Sequence, residues 1–133
     1  MSENLDLVRS ICTAWGRGDF SSNDWADERI EVVVGDGPEQ GRWHGRDGME
    51  AGWRGFLGAW GDYRVEVDQF RELDSERVLI LMRHGGYGRA SGLGDKQLTT
   101  EGANVFQMRD GKVVRLLLYW HRDRALADLG LEE

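Results

Sequence analysis

Residues 99–121, TTEGANVFQMRDGKVVRLLLYWH, constrain the fold more than any other stretch of the chain. Two alternating apolar runs meet at Asp110-Gly111, and Asp-Gly suits the tight two-residue turn of a β-hairpin because both central residues take positive φ. With that turn, Met108 pairs with Val113, Asn104 with Leu117 and Gly102 with Tyr119. Strand alternation then puts Thr100, Asn104, Phe106, Leu117, Tyr119 and His121 on one face, and Ala103, Val105, Val114, Leu116, Leu118 and Trp120 on the other. Both faces are too apolar to be left to water. The first mixes polar groups with aromatics and is expected to line a pocket. The second is expected to meet a partner subunit in a two-fold homodimer, since apolar patches beyond a few hundred Å² usually mark interfaces.

The rest of the chain supplies the cover. Glu3 to Arg17 is amphipathic at helical spacing, with Leu5, Val8, Ile11, Cys12 and Trp15 on one face. Asp19 to Trp25 reads as a short second helix or turn with Phe20 and Trp25 tucked under it, and Arg29 to Val34, RIEVVV, as a short strand. Gly35 to Gly45 holds the only proline among four glycines and reads as a loop. Asp47 is placed to cap the next helix, with Glu50 completing a capping box and Met49, Trp53, Phe56, Leu57 and Trp60 as its buried stripe. Tyr63 to Leu73 and Arg77 to Ser91 then read as long strands about an Asp74-Ser75 turn, Gly92 to Lys96 as a loop, and Arg122 to Leu129 as a closing helix. Helices gathered on an antiparallel meander give the α+β class.

A length of 133 residues makes one domain, 1–133, with room for a real core. The 17 basic and 24 acidic residues leave a net charge of −7, which argues against nucleic acid or an anionic membrane surface as a partner. Cys12 is the only cysteine, so no internal disulfide can form, and a reducing, cytoplasmic setting is expected. No apolar run approaches the roughly 20 residues of a membrane span, and MSENLDLVRS lacks a signal-peptide pattern. Six tryptophans suit the walls of a small-molecule cavity. No His/Cys/Asp/Glu spacing suggests a metal, and phosphate loops, CxxC and nucleophile-elbow motifs are absent, so no cofactor is expected.

The element order, together with TAWGRGDF, HGRDGMEAGWRGFL, GGYGRASG and the terminal FQMRDGKVVRLLLYWHRDRALADLG, resembles the nuclear transport factor 2-like superfamily. Within it the chain is similar to the SnoaL-like polyketide-cyclase group, relatives of ketosteroid isomerase. The resemblance covers nearly the whole chain and implies a cone: a curved, mainly antiparallel sheet wrapped around about three helices, enclosing an apolar pocket and usually dimeric through the sheet.

The resemblance also assigns residues. Asp36 falls at the place of the isomerase's proton-abstracting carboxylate, although a turn aspartate also suits Gly-Asp-Gly-Pro. Asn104 falls where that enzyme carries its hydrogen-bond-donating acid, and Ile11, which cannot donate, near its phenol, a departure from steroid-type isomerisation. His121 stands where the cyclases and limonene-type epoxide hydrolases place an aspartate, and is the leading acid–base candidate. Its replacement of that acid, with no carboxylate beside Arg83, argues against epoxide hydrolysis.

His121 and Asp36 are thus the expected catalytic residues, with Asn104, Tyr119, Trp53, Trp43, Arg83 and Trp15 binding substrate. Arg83 lies on a strand side with Tyr87, Arg89 and Ser91 and belongs either at the pocket rim or on a solvated outer face. The expected function is cofactor-independent isomerase- or cyclase-type chemistry on a small apolar or polycyclic carbonyl compound. The alternative is a non-catalytic ligand-binding domain.

Overall fold

The computed structural model describes residues 3–20, 24–36, 41–88 and 97–131, with the backbone alone described for 55–62, 86–88 and 97–99. Helix α1 (Glu3–Gly16) buries Val8, Ile11, Cys12 and Trp15, the stripe its periodicity requires. Strand β1 (Ala26–Val34) follows a turn at Asp24-Trp25, and the short β2 (Gly41–His44) runs directly into helix α2 (Gly45–Ala59). β3 (Trp60–Glu72), β4 (Arg77–Gly88), β5 (Gln97–Arg109) and β6 (Lys112–Tyr119) form the antiparallel meander, and α3 (Arg122–Leu129) closes the chain.

The six strands make one mostly antiparallel, curved and unclosed sheet in the order β2-β1-β6-β5-β4-β3, in which β1 lies parallel to β6. With the three helices among the described residues this is the expected α+β cone. α1 and α2 pack on the inner face against Val65, Ile80, Met82, Phe106, Met108 and Leu116. On the outer face Ala125 and Leu126 of α3 cover Leu79, Leu81, Ala103 and Val105.

The hairpin turn forms as read, with Asp110 at φ 53° and Gly111 at φ 78°, and Met108 pairs with Val113. The register then shifts: Gln107 faces Arg115, so Val114 is an extra residue, a β-bulge. Beyond it Asn104 faces Leu118 and Ala103 faces Tyr119, one position away from the expected pairs. A one-residue slip exchanges the two faces of a strand. Leu116 and Leu118 therefore join Asn104 and Phe106 on the inner face, while Leu117 and Tyr119 join Ala103 and Val105 outside. The apolar face assigned to a partner subunit is divided: Leu118 and Trp120 turn inward, and Val105 lies under α3.

Other boundaries moved for local reasons. β1 begins at Ala26 rather than Arg29 because Ala26 pairs with Val113. The end of the expected 35–45 loop is strand β2, held to β1 by Val32–Trp43 and Val33–Arg42 pairs. Gly45, at φ 77°, turns that strand into α2, so Asp47 sits within the first helical turn rather than at its cap. Trp60 opens β3 instead of ending the helix. The expected turn or helix at 21–23, the proline loop at 37–40 and the loop at 92–96 lie outside the described residues, as do the side chains of Phe56, Leu57 and Trp60.

Candidate functional site

Between the inner sheet face and helices α1 and α2 lies a cavity of about 250 Å³. Trp15, Trp43, Trp53 and Trp120 form much of its wall. Trp15 ends the buried stripe of α1 and meets Trp53 of α2 edge-on at 5.9 Å between ring centroids. Trp43 comes from the edge strand β2 and lies over the helix: a Cβ on Gly52 would stand 3.1 Å from its ring, so the glycine makes that approach possible. Aliphatic side chains such as Val32, Met49 and Met82 fill the remaining wall.

Three polar side chains interrupt this surface: Tyr63 of β3, His84 of β4 and Asn104 of β5. The Tyr63 hydroxyl lies 2.8 Å from His84 Nδ1, and His84 Nε2 lies 3.0 Å from the Trp120 carbonyl oxygen. A carbonyl only accepts, so Nε2 carries the proton. The neutral ring then accepts at Nδ1, and the phenol donates to it. The Trp120 indole meets the imidazole edge-on at 4.5 Å. Burial holds the His84 pKa below its ordinary value against the opposing Trp120 bond, with the charge of His121 lowering it further and that of Asp36 raising it. Burial likewise pushes the Tyr63 pKa well up, keeping the phenol protonated. At neutral pH the pair is therefore uncharged, with a basic imidazole behind a phenol.

Gly102 makes room for this ring. A Cβ there would stand 2.8 Å from His84 Nε2 and 2.7 Å from the Tyr119 carbonyl oxygen. Asn104 is 2% exposed, and its Oδ1 has no hydrogen-bond partner among the described residues. A buried unmet acceptor is costly, which makes Asn104 a natural contact for a bound molecule.

Of the residues expected at the site, Trp15, Trp43, Trp53 and Asn104 line the cavity. Tyr119 borders it, but its ring packs with the outer cluster and its hydroxyl donates to Asp128 of α3 at 3.1 Å. His121 is exposed at the N-cap of α3 and is not among the lining residues, because the bulge turns Trp120 inward in its place. Asp36 is buried, but its carboxylate accepts the backbone N–H groups of Trp120 at 2.6 Å and His121 at 3.1 Å rather than lining the cavity. Arg83 lies on the solvated outer side, where it pairs with Asp68 at 3.1 Å and Glu66 at 3.2 Å.

No sequence motif marks Tyr63 or His84 as a chemical residue. Alternation is the one signal that points to His84, which continues the inward row of Ile80 and Met82, where an imidazole must be satisfied by a partner. Among the described residues no cluster of three or more His, Cys, Asp or Glu side chains is placed to hold a metal, and no helix is long and apolar enough to cross a membrane. Burial pushes the Cys12 thiol up to about 12, so it stays protonated at neutral pH.

The curved open sheet closed by helices over an apolar cavity has the fold of nuclear transport factor 2-like structures. Solved structures agree over nearly the whole chain. An NTF2-like protein of unknown function from Burkholderia pseudomallei superposes with a TM-score of 0.76 at 19% identity, covering 96% of this chain and 97% of that one. TerC, co-crystallised with polyporic acid, gives 0.74 at 19% identity over 96% and 98%. A polyketide cyclase-like protein of Xanthomonas campestris gives 0.70 at 21% over 94% and 95%. At these identities the likeness is one of fold. Within the class, the SnoaL-like domain model matches residues 8–116, and the chain belongs to that family. No curated protein sequence matches it significantly.

Proposed function

We propose that the protein carries out cofactor-independent proton-transfer chemistry on a small, flat carbonyl compound, using Tyr63 and His84 as its base. The observation that carries this reading is the Tyr63–His84 hydrogen bond set in the apolar cavity wall with the unmet amide of Asn104. A proton leaving a carbon next to the ligand carbonyl passes to the Tyr63 oxygen while the Tyr63 proton passes to His84 Nδ1. The electron pair left behind moves onto the carbonyl oxygen to give an enolate, while the unmet Oδ1 of Asn104 accepts a hydrogen bond from a hydroxyl of the ligand and so orients it. Returning the proton to another carbon isomerises the ligand, and attack of the enolate carbon on a second carbonyl closes a ring.

The ionisation of the pair narrows the substrate. An imidazole whose pKa is held low is a weak base, so the carbon acid must be activated, as between two carbonyls or beside an aromatic ring. Size narrows it further: about 250 Å³ lies below the roughly 300–1,000 Å³ of ordinary ligand sites, which suits one or two rings better than a larger polycycle. The polyketide-cyclase and polyporic-acid relatives make aromatic polyketides and quinones the first compounds to screen.

Binding is read by quenching of the wall tryptophans, and turnover by proton exchange at the activated carbon. Tyr63→Phe and His84→Gln are expected to keep ligand affinity within a few-fold while losing about 10²-fold or more in turnover, the usual contribution of a general acid–base group. Wild-type protein that binds such compounds tightly but exchanges none of their protons would make it a binding domain instead.

A further inference from the structure

We infer that Asp36 is a positioning residue for His84, acting through the Trp120–His121 peptide rather than on the ligand. The inference rests on the Tyr63–His84 reading for its catalytic meaning, but its geometry belongs to the free protein. Asp36 leaves the end of β1 and is 7% exposed. A buried carboxylate needs donors, and it takes two successive ones, the N–H groups of Trp120 and His121. The second N–H and the Trp120 carbonyl belong to one peptide unit, and that carbonyl accepts the Nε2–H of His84 at 3.0 Å. One planar amide thus has a carboxylate on its N–H side and an imidazole on its C=O side.

This arrangement has two consequences. An amide polarised at its N–H is a better acceptor at its oxygen, so the carboxylate strengthens the bond that holds the proton on Nε2. That leaves the Nδ1 lone pair fixed toward Tyr63, the orientation the relay requires. When His84 gains a proton, the same chain of dipoles offsets the new charge. The titratable groups facing His84 are Tyr63 from β3, Asp36 after β1 and His121 at the head of α3, and of the two chargeable ones Asp36 favours the imidazolium while His121 opposes it. The role resembles that of a carboxylate that orients a catalytic histidine directly, with a peptide inserted between the two.

Nitrogen-15 NMR of histidine-labelled protein tests this without a substrate, the His84 signals being identified by their loss in His84→Gln. Wild-type His84 is expected as a single Nε2–H tautomer, and an Nδ1–H tautomer would overturn the inference with no variant needed. Asp36→Asn should mix the tautomers and move the His84 titration to lower pH, and an unchanged spectrum and titration would also overturn it. Should Asp36→Asn fail to fold, His121→Pro removes the bridging N–H while keeping Asp36, and must reproduce the mixed tautomers. His121→Ala, which keeps the backbone N–H, must retain the single Nε2–H form. If the tautomer behaves as stated while Tyr63→Phe leaves turnover intact, the proton-transfer reading fails and the positioning of His84 stands.

Discussion

The two faces of the sheet are made by the same strands and solve burial in opposite ways. The outer face is covered in part by α3. Leu79, Leu81, Ala103 and Val105 pack under α3, and the neighbouring charges pair off: Arg122 bonds Asp68 at 3.0 Å and Glu101 at 3.4 Å, while Arg83 bonds Asp68 and Glu66. Burial alone would raise the Asp68 pKa, but the bonds from Arg122 and Arg83 outweigh it and hold the carboxyl low. The inner face is left open. Its helices bridge over a cavity instead of filling it, and its polar groups are a neutral phenol–imidazole pair and an amide with an unmet oxygen.

The largest effects should come from truncating one core residue on each face. Phe106→Ala, which removes a fully buried ring 5.8 Å from that of Trp15, is expected to cost about 3–5 kcal/mol, and Leu79→Ala about 2–5 kcal/mol. Urea unfolding measures both losses. Tryptophan quenching separates the faces: Phe106→Ala should weaken ligand binding by loosening Trp15, and Leu79→Ala should leave it unchanged in the folded fraction. Equal effects on binding would erase the contrast.

Gly102→Ala comes next. Its Cβ would overlap the Tyr119 carbonyl and His84 Nε2, and overpacking of this kind costs about 1–3 kcal/mol. It should also disturb the His84 bond to Trp120, seen as loss of the single histidine tautomer. A variant as stable as wild type with an intact tautomer would show that the inner wall has slack.

Acid should weaken the inner face before the outer. The folded His84 pKa lies below its ordinary value of 6.5, so between the two values the unfolded chain binds more protons than the native one. Stability from this group is therefore complete at neutral pH, falls as pH drops below about 6.5, and levels once the folded imidazole also protonates. The slope cannot exceed about 1.4 kcal/mol per pH unit for one group. Unfolding curves at pH 7 and 5.5 measure it, and His84→Gln should flatten it.

The smallest effect is expected at the exposed ionic strip. Arg83→Ala should cost about 0.2–1 kcal/mol, less in high salt, and leave ligand affinity unchanged. A large loss of binding would place Arg83 at the site after all.

How much of this was legible in the sequence depended on whether local chemistry decided the outcome. Asp110-Gly111 dictated its turn and the α1 stripe followed from periodicity, so most of the element order could be read from local signals, while the cone came only from the family resemblance and β2 was not read at all. Trp15, Trp43 and Trp53 line the cavity, as expected of large flat side chains in a chain this small. The rest hinged on the bulge at Val114, which no local signal announced: Val-Val continues a strand pattern whether or not one residue is skipped. That single skip moved His121 out and Trp120 in, and with them the assigned base. His84 was hidden for a different reason, since a histidine in an apolar row shows its partners only after β3 and the end of β6 are brought beside it.

The same bulge makes strand register, rather than residue type, the control over what faces the ligand. With Val114 paired to Gln107 instead of skipped, Tyr119 and the imidazole of His121 would cross the sheet together in exchange for Leu118 and Trp120, whereas deleting Val114 would leave both of these facing inward. No single substitution could transpose two pairs of side chains at once. On such a strand a chain can keep its composition, its turn and its fold and still present a different wall to whatever enters, so closing or opening the bulge at constant length is a route between chemistries that replacing wall residues one by one would reach only slowly.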